Sequence, residues 1–430
     1  MGKGRRGLLY QPQRQGNQQM NEAVAAPAMY GESSKTSIFD EVINRRHTNS
    51  MKWDCGPMFL QPDECAADPL PMWVADMDFR APQPVLDALQ EAVSFGVFGY
   101  TAGASKSYLE AVLAWQHKRF GWEASPEWVL QTSGIITTMK TAIQAFSAPG
   151  DSILIQPPVY VHFHEDAAIN GRRLAYAPLD YVGDGYRFDE QKFEAAIQSN
   201  TRLFILSNPH NPTGNVWSEG ELRAMGEICA RHGVIVLSDE IHQDFVLNPA
   251  KRHIPFASLG EAFAQNSITC TAPSKTFNLP SLQTANIFVP NQRLREALVR
   301  QYDRNVYRYV NALGVIAGEA AYRHGEPWLE EMLDYVRDNQ RHFRREIQAA
   351  TGKIKVLPTD SLYVAWMDCR GLGMSADELD KFMLTQARVW LDKGQKFGVE
   401  GHGFMRANLG CSRATVDEVI ARIRVAIERL

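Results

Sequence analysis

The sequence predicts an α/β fold, with a mostly parallel sheet in a large domain and a smaller α+β domain at the C-terminal end. Short, near-continuous runs of Ile, Val and Leu recur through the middle of the chain, which is the pattern of strands buried on both faces of a sheet. Amphipathic stretches separate these runs, so strands and helices alternate. Beyond about residue 326 the apolar spacing becomes mainly helical, which indicates the second domain.

Length and composition limit the kind of protein this is. The chain has 430 residues, of which 45% are hydrophobic and 22% are charged, and this suits two or three domains with a sizeable core. Its net charge of -4 gives no strong field toward nucleic acid or an anionic membrane, so we expect a small-molecule partner. No stretch approaches the roughly 20 apolar residues that a membrane span needs. Six cysteines without a Cys-x-x-Cys pair predict reduced thiols in a cytoplasmic protein.

The chain divides into four segments by pattern. Residues 1–36 are rich in Gln, Gly, Arg, Ala and Ser and lack a sustained apolar period, which predicts a flexible tail. Residues 37–80 are expected to contribute to the small domain. Residues 81–325 form the predicted large domain, and residues 326–430 form the rest of the small one.

The strands of the large domain are predicted in order from the apolar runs at 128–131, 152–156, 202–207, 234–238, 267–271 and 285–289. Between two of these runs, Ser218 and Glu221 make a capping box, an amphipathic stretch follows, and Gly233 suits the left-handed position after a helix. This is a βαβ unit. Its repetition predicts a parallel sheet whose ligands bind beyond the carboxyl ends of the strands.

The C-terminal elements follow the same reasoning. A long amphipathic helix is predicted at 327–350, a strand at 362–367, and further helices at 376–387 and 416–430. A polar, glycine-containing loop is expected at 394–403.

Three polar side chains follow predicted strands, where a parallel sheet places its ligand-binding groups. Asn211 follows the predicted strand at 202–207, Asp239 follows the one at 234–238, and Lys275 follows the one at 267–271. Burial would lower the pKa of a lysine in such a mostly uncharged stretch, and an amine that forms an imine at neutral pH requires this. The three residues together therefore point to one site.

Five short motifs of this sequence resemble those of a known family. They are Pro-Met-Trp-Val-Ala-Asp-Met-Asp-Phe at 71–79, Phe-Gly-Tyr-Thr at 98–101, Asn-Pro-His-Asn-Pro-Thr-Gly at 208–214, Asp-Glu-Ile-His at 239–242 and Ser-Lys-Thr-Phe-Asn at 274–278. In this order they resemble the fold-type I pyridoxal 5′-phosphate (PLP) enzymes of the aminotransferase class I/II superfamily, and within it the cystathionine β-lyases of the PatB/MalY type. The resemblance runs from about residue 39 to residue 430.

The resemblance implies a role for each residue around the cofactor ring. Lys275 would join the aldehyde of PLP and later act as a base, and Asp239 would keep the pyridine nitrogen protonated so that the ring accepts electrons. Asn211 would donate a hydrogen bond to the phenolic oxygen of the ring, and His242 would lie near the same oxygen. Tyr160 would stack on the ring.

The resemblance also implies how the phosphate is held. Gly134, Ile135 and Ile136 open a predicted helix whose backbone N–H groups can bind a phosphate. Many aminotransferases carry a phosphate-binding arginine about eight residues after the lysine, where this chain has Gln283. Helix amides, Ser274 and Tyr100 from the second subunit of a homodimer would then bind the phosphate. This departure favours the lyase branch.

The substrate would bind at the other side of the cofactor. Arg406 matches the arginine that binds the substrate α-carboxylate in a bidentate pair, and its apolar neighbours predict a strand entering the core. Trp73, Val74 and Ala75 would line the opposite wall of the site.

Three functions stay open on these residues. A lyase would expel a thiol from a cysteine conjugate such as cystathionine and release pyruvate and ammonia, whereas an aminotransferase would return the amino group to a keto acid. Both functions use every residue named so far. The motifs at 208–214, 239–242 and 274–278 favour the lyase. A regulatory binding protein that keeps the fold is a third interpretation.

A metal enzyme is the weakest interpretation. His162 and His164 alternate, as two residues on one face of a strand would. No carboxylate or cysteine cluster completes a ligand set in the sequence, so we expect no metal.

Overall fold

The structure is a computed structural model that describes residues 37–101, 103–305 and 309–430. The predicted tail at 1–36 lies outside them. Residues Ile38–Leu430 form one compact unit. Within the described ranges, no helix is both long enough and apolar enough to cross a membrane.

The structure contains fifteen strands and sixteen α-helices in these ranges. The strands are β1 (Leu70–Pro71), β2 (Val129–Thr132), β3 (Ser152–Ile155), β4 (Arg173–Tyr176), β5 (Asp180–Val182), β6 (Gly185–Arg187), β7 (Thr201–Ser207), β8 (Ile235–Asp239), β9 (Ser267–Thr271), β10 (Ala285–Phe288), β11 (Lys355–Val356), β12 (Val364–Asp368), β13 (Val389–Trp390), β14 (Asp392–Lys393) and β15 (Phe404–Asn408). The helices are α1 (Met51–Asp54), α2 (Gly56–Phe59), α3 (Pro62–Ala66), α4 (Gln83–Phe95), α5 (Lys106–Phe120), α6 (Ile135–Phe146), α7 (Val161–Ile169), α8 (Glu190–Ala196), α9 (Glu219–Arg231), α10 (Glu261–Gln265), α11 (Pro273–Thr276), α12 (Gln292–Arg304), α13 (Ala312–His324), α14 (Glu326–Ala350), α15 (Ala376–Thr385) and α16 (Arg413–Glu428).

A seven-stranded sheet in the order β2-β10-β9-β8-β7-β3-β4 forms the centre of the fold. Strand β10 runs antiparallel to both of its neighbours, and the other strand pairs are parallel. All six strands predicted for this domain are present, and the mostly parallel α/β fold is confirmed. Strand β4, which follows β3 in the chain, pairs with one edge of β3, and β7 pairs with the other edge. The strand order reverses there, and α/β folds bind ligands at such a reversal.

Alternating side chains of the central strands explain why the sheet is covered on both faces. Leu203 and Ile205 of β7 pack into one buried apolar cluster, whereas Phe204 and Leu206 pack into another. A strand that buries both faces needs apolar residues at successive positions. Helix α9 begins at the predicted capping box of Ser218 and Glu221.

The C-terminal part builds a four-stranded antiparallel sheet in the order β11-β12-β15-β14. Helices α14 and α16 pack against each other beside this sheet and bury Phe343, Ile347 and Ile420 in its apolar cluster. The predicted loop at 394–403 consists largely of two short 3₁₀ helices, Gly394–Phe397 and Val399–Gly401.

One sequence-based expectation about local structure is wrong. His162 and His164 lie on helix α7 and not on a strand. The helix buries Phe163 and Ala167, which are four residues apart, so its inward face repeats with a helical period. Residues two apart on a helix point in different directions, and the two histidines therefore share no face. In the part of the chain that the structure describes, no group of His, Cys, Asp and Glu side chains could hold a metal ion.

Candidate active site

A cavity of about 360 Å³ lies where the parallel strands end, and this volume suits a small molecule or cofactor. Every predicted site residue except Tyr100 lines it. These residues are Trp73, Val74, Ala75, Gly134, Ile135, Ile136, Tyr160, Asn211, Asp239, His242, Ser274, Lys275 and Arg406.

Lys275 lies on the short helix α11, which follows β9. Its Nζ donates a hydrogen bond to the backbone carbonyl of Ala75, at 2.5 Å. Burial lowers the pKa of Lys275 to about 8, with the Arg406 charge acting in the same direction and the Asp76 and Asp239 carboxylates opposing it. A substantial neutral fraction of this amine therefore exists near neutral pH, as a nucleophilic amine requires.

Asp239 is the last residue of β8 and is buried. One carboxylate oxygen, Oδ1, accepts a hydrogen bond from the backbone N–H of Ile241, at 3.2 Å. Burial raises the pKa of Asp239 to about 7, and neighbouring Glu240 adds to this rise while Lys275 opposes it. A cation placed against the carboxylate would favour its charged form.

Arg406 lies on β15 and is almost fully buried. Its Nη2 donates to the Trp73 carbonyl at 3.0 Å and to the Asp392 carboxylate at 2.9 Å, and its Nη1 donates to Asn211 Oδ1 at 3.3 Å. The buried Nε has no hydrogen-bond partner among the described residues. A buried guanidinium N–H without a partner is costly, so this edge of Arg406 suits an anionic ligand.

Asn211 and His242 present the remaining polar atoms of the cavity. Because Asn211 Oδ1 accepts from Arg406, its Nδ2 is the side-chain atom that can donate to a ligand. Burial, together with the Lys275 and Arg406 charges, lowers the pKa of His242 well below its usual value. The imidazole is therefore neutral at physiological pH, and its buried Nδ1 contacts no hydrogen-bond partner within the described ranges.

The N-terminus of helix α6 also lines the cavity. Gly134 is its N-cap, and Ile135 and Ile136 form its first turn. The first N–H groups of a helix have no partners within the helix and attract anions. Besides Asn211 and Tyr160, five hydroxyl or amide side chains line the cavity, namely those of Ser133, Ser207, Ser274, Gln283 and Thr284.

Sequence reasoning missed Asp392 and Lys396, which also line the cavity. Asp392 lies directly opposite Arg406 in the antiparallel pairing of β14 and β15. Its carboxylate contacts Lys396 Nζ at 2.8 Å as well as Arg406. Lys396 Nζ in turn lies 5.6 Å from the centre of the Trp73 ring. Asp392 belongs to no motif, so only the strand register reveals its contact with Arg406.

Tyr100 lies outside the cavity. Its side chain is 92% exposed, and its ring centre lies 5.1 Å from that of Tyr309. Within this one chain Tyr100 cannot contribute to the site, so its predicted contribution to the site of a second subunit stays a prediction.

A family model described as aminotransferase class I and II matches residues 71–423. Among curated proteins, cystathionine beta-lyase PatB of Bacillus subtilis (strain 168) is 42% identical over 391 residues, which cover 90% of this chain and 99% of that protein.

Solved structures of similar fold include two that contain PLP. Cystalysin from Treponema denticola, which contains a pyridoxal 5′-phosphate cofactor, matches with a TM-score of 0.86 and 30% identity over 91% of this chain and 98% of that chain. The PLP-bound C-S lyase from Staphylococcus hominis matches with a TM-score of 0.83 and 30% identity, with the same coverage of 91% and 98%.

Proposed function

This chain belongs to the class I and II aminotransferase family, and from that membership we propose that it is a PLP-dependent carbon–sulfur β-lyase. Its substrate would be cystathionine or a related cysteine S-conjugate, and its products would be a thiol, pyruvate and ammonia. One observation carries this proposal: a lysine amine, a buried carboxylate and a buried arginine line a single cavity in a chain that is similar to a cystathionine beta-lyase and to a C–S lyase.

The cavity residues fit PLP chemically. The cofactor needs an amine for its aldehyde, a carboxylate for its pyridine nitrogen, a donor for its phenolic oxygen and N–H groups for its phosphate. Lys275, Asp239, Asn211 and the first turn of α6 supply these groups. His242 Nδ1 is a further buried polar atom without a partner in the described chain. When bound, PLP supplies an aldehyde that activates the substrate amine and a ring that stabilises negative charge on Cα.

The chain's own residues would then bind the substrate and move its protons. Arg406 would bind the α-carboxylate through its unpartnered Nε–H, while its Nη2 keeps its bonds to Asp392 and the Trp73 carbonyl. Lys275 Nζ, once its amine is neutral, would accept the proton from Cα. Asp239, as an anion, would stabilise positive charge on the pyridine nitrogen.

The lyase and the aminotransferase differ in whether a keto acid is needed. We propose the lyase because the relatives reported above are named for cystathionine or C–S lyase activity. Supplied with L-cystathionine and no keto acid, the holoenzyme is expected to form pyruvate over many turnovers. A single equivalent of product per active site, with no further turnover, would instead identify an aminotransferase half-reaction.

Capture of the cofactor should depend on pH in a direction set by Lys275. The neutral amine reacts with an aldehyde, and the pKa of Lys275 is lowered to about 8. We expect the second-order rate of PLP capture by the apoprotein to rise about tenfold per pH unit below pH 8 and to level off above it. Stopped-flow absorbance measures this rate. A rise that continues to pH 10 would mean that the amine has an ordinary lysine pKa.

Replacement of Arg406 by lysine should weaken substrate binding more than it slows the chemical step. Lysine keeps the positive charge but cannot reproduce the planar guanidinium, which bonds to Asn211, Asp392 and the Trp73 carbonyl while it offers an N–H to the carboxylate. We expect KM for L-cystathionine to rise about 10²-fold, with a fall in kcat of less than about tenfold. Lys393→Arg is the matched control, because Lys393 pairs with Asp380 outside the cavity. Equal KM values for Arg406→Lys and wild type would remove Arg406 from the substrate site.

We propose that the protein acts as a homodimer, in which Tyr100 of each subunit completes the site of the other. The support is an exposed apolar segment at 93–100, where Val93, Phe95, Val97, Phe98 and Tyr100 are all at least half exposed. A run of this kind is typical of an interaction surface. The adjoining ring of Tyr309 extends it.

A charge in this segment should separate the subunits. Phe98 is 63% exposed, and we expect Phe98→Glu to sediment with half the wild-type mass because the glutamate would be buried without a partner. Val425→Glu, at an exposed position on α16, is the control and should leave the mass unchanged. A dimeric Phe98→Glu protein would place the interface elsewhere.

We also propose that residues 37–80 and 326–430 together form the small domain and that residues 81–325 form the large one. Support comes from β1, which pairs with β13, and from Met72, whose backbone bonds to both Trp390 and Asn408.

We propose separately that the protein is cytoplasmic. The support is that all six cysteines are free thiols, as is usual in a reducing compartment.

A further inference from the structure

His162 lines the cavity, and the mechanism above does not use it. It lies in the first turn of α7, two residues after Tyr160, and the centres of the two rings are 5.2 Å apart. Its side chain keeps about a third of its surface exposed (34%), so it can exchange protons with solvent. Its neighbour His164 is on the same helix and does not line the cavity.

A buried carboxylate lies behind His162. The Asp166 side chain is fully buried, and neither of its oxygens has a hydrogen-bond partner among the residues that the structure describes. Its Oδ1 lies 3.5 Å from His162 Nδ1 and 3.4 Å from Lys140 Nζ on α6. Glu165 Oε2 lies 3.6 Å from the same Nδ1. Lys140, Glu165 and Asp166, with the Tyr160 hydroxyl, are the titratable groups around the imidazole.

This arrangement assigns the two ring nitrogens different roles. A buried carboxylate needs a cation or an N–H donor close by. At 3.5 Å the approach of His162 Nδ1 to Asp166 Oδ1 is an electrostatic contact, and Nδ1 makes no hydrogen bond within the described residues. Because Nδ1 is buried and faces the carboxylates of Asp166 and Glu165, Nε2 is the nitrogen available to a ligand in the cavity.

We propose that His162, oriented by Asp166, is the proton donor to the sulfur atom that leaves the substrate. The inference rests on the proposed lyase function and adds a residue to it. As the Cβ–S bond breaks, its electron pair leaves with sulfur, and the proton on His162 Nε2 moves to that sulfur. A neutral thiol departs, and the imidazole regains its proton from solvent. A departing thiolate gains from such a donor because it is basic: even the cysteine thiol has a reference pKa of about 8.5, above neutral pH.

The test compares two leaving groups on one enzyme. S-Ethyl-L-cysteine releases a thiolate that benefits from protonation, whereas β-chloro-L-alanine releases chloride, which does not. For His162→Gln holoenzyme we expect kcat/KM for S-ethyl-L-cysteine to fall about 10²-fold and that for β-chloro-L-alanine to change by less than about threefold. Asp166→Asn should show the same selective loss at about tenfold. His164→Gln is the matched control and should leave both substrates unaffected.

A second measurement separates a chemical role from a structural one. PLP affinity of the apoprotein, followed by absorbance titration, should be the same for His162→Gln and wild type. Equal losses on both substrates, or a loss on neither, would overturn the role of His162. If the wild type forms pyruvate from neither substrate, the lyase function itself has failed, which is a distinguishable result.

Discussion

Lys275→Ala is expected to abolish pyruvate formation from L-cystathionine, with kcat reduced by about 10⁴-fold or more. The cavity offers one lysine on the short helix after β9, and its amine has a pKa lowered to about 8. Alanine removes both the group that joins the cofactor and the base for the Cα proton. Steady-state assays for pyruvate measure the loss.

The same variant has a readout that does not depend on turnover. After incubation with PLP and extensive dialysis, the wild type should keep a visible absorbance band and Lys275→Ala should lose it. Lys393→Ala, which removes a lysine that pairs with Asp380 outside the cavity, should retain both the band and the activity. If Lys275→Ala keeps a dialysis-resistant band, another residue binds the cofactor covalently.

Asp239→Asn has the second largest expected effect, and it should act on activity and stability in opposite directions. The amide carries no charge to stabilise a protonated pyridine nitrogen, so we expect kcat to fall about 10³-fold. In the apoprotein, burial raises the pKa of Asp239 from 3.8 to about 7. Ionisation of the buried carboxyl therefore opposes folding, and asparagine removes that cost.

The stability effect has a definite pH window. Because the folded-state pKa of Asp239 is above the unfolded value, the free energy of unfolding of the wild-type apoprotein should fall as pH rises from about 4 to about 7. Asp239→Asn lacks this contribution and should be more stable at pH 8 by on the order of 4 kcal/mol. The difference should shrink toward pH 4. Denaturant unfolding of both apoproteins at the two pH values measures it, and a less stable variant at pH 8 would contradict the burial of an isolated carboxyl.

The sequence predicts the elements of the sheet well because their signals are local. Apolar runs locate β3 and β7 within a residue of their ends, and the capping box at Ser218 marks the start of α9. Polar residues that follow parallel strands converge because such strands end at a common edge. Lys275, Asp239 and Asn211 could therefore be predicted together from one chain.

Other parts of the site depend on contacts that no local pattern contains. Arg406 and Asn211 are hydrogen-bonded although they are 195 positions apart, and Asp392 meets Arg406 only through the register of β14 with β15. The position of His162 was predicted wrongly because alternating histidines are compatible with a strand. The helix forms instead because Phe163 and Ala167 enter the core with a four-residue spacing.

The carbonyl of Ala75 accepts hydrogen bonds from both Lys275 Nζ and the Tyr363 hydroxyl, and the Trp73 carbonyl accepts one from Arg406. Lys275 Nζ, the amine proposed to join the cofactor, thus also bonds to the wall of the pocket that carries Trp73, Val74 and Ala75. A covalent linkage at this nitrogen would leave it fewer N–H groups to donate, so the Ala75 carbonyl would depend more on the Tyr363 hydroxyl. Attachment of a cofactor and the hold on this wall would then be coupled through one nitrogen atom.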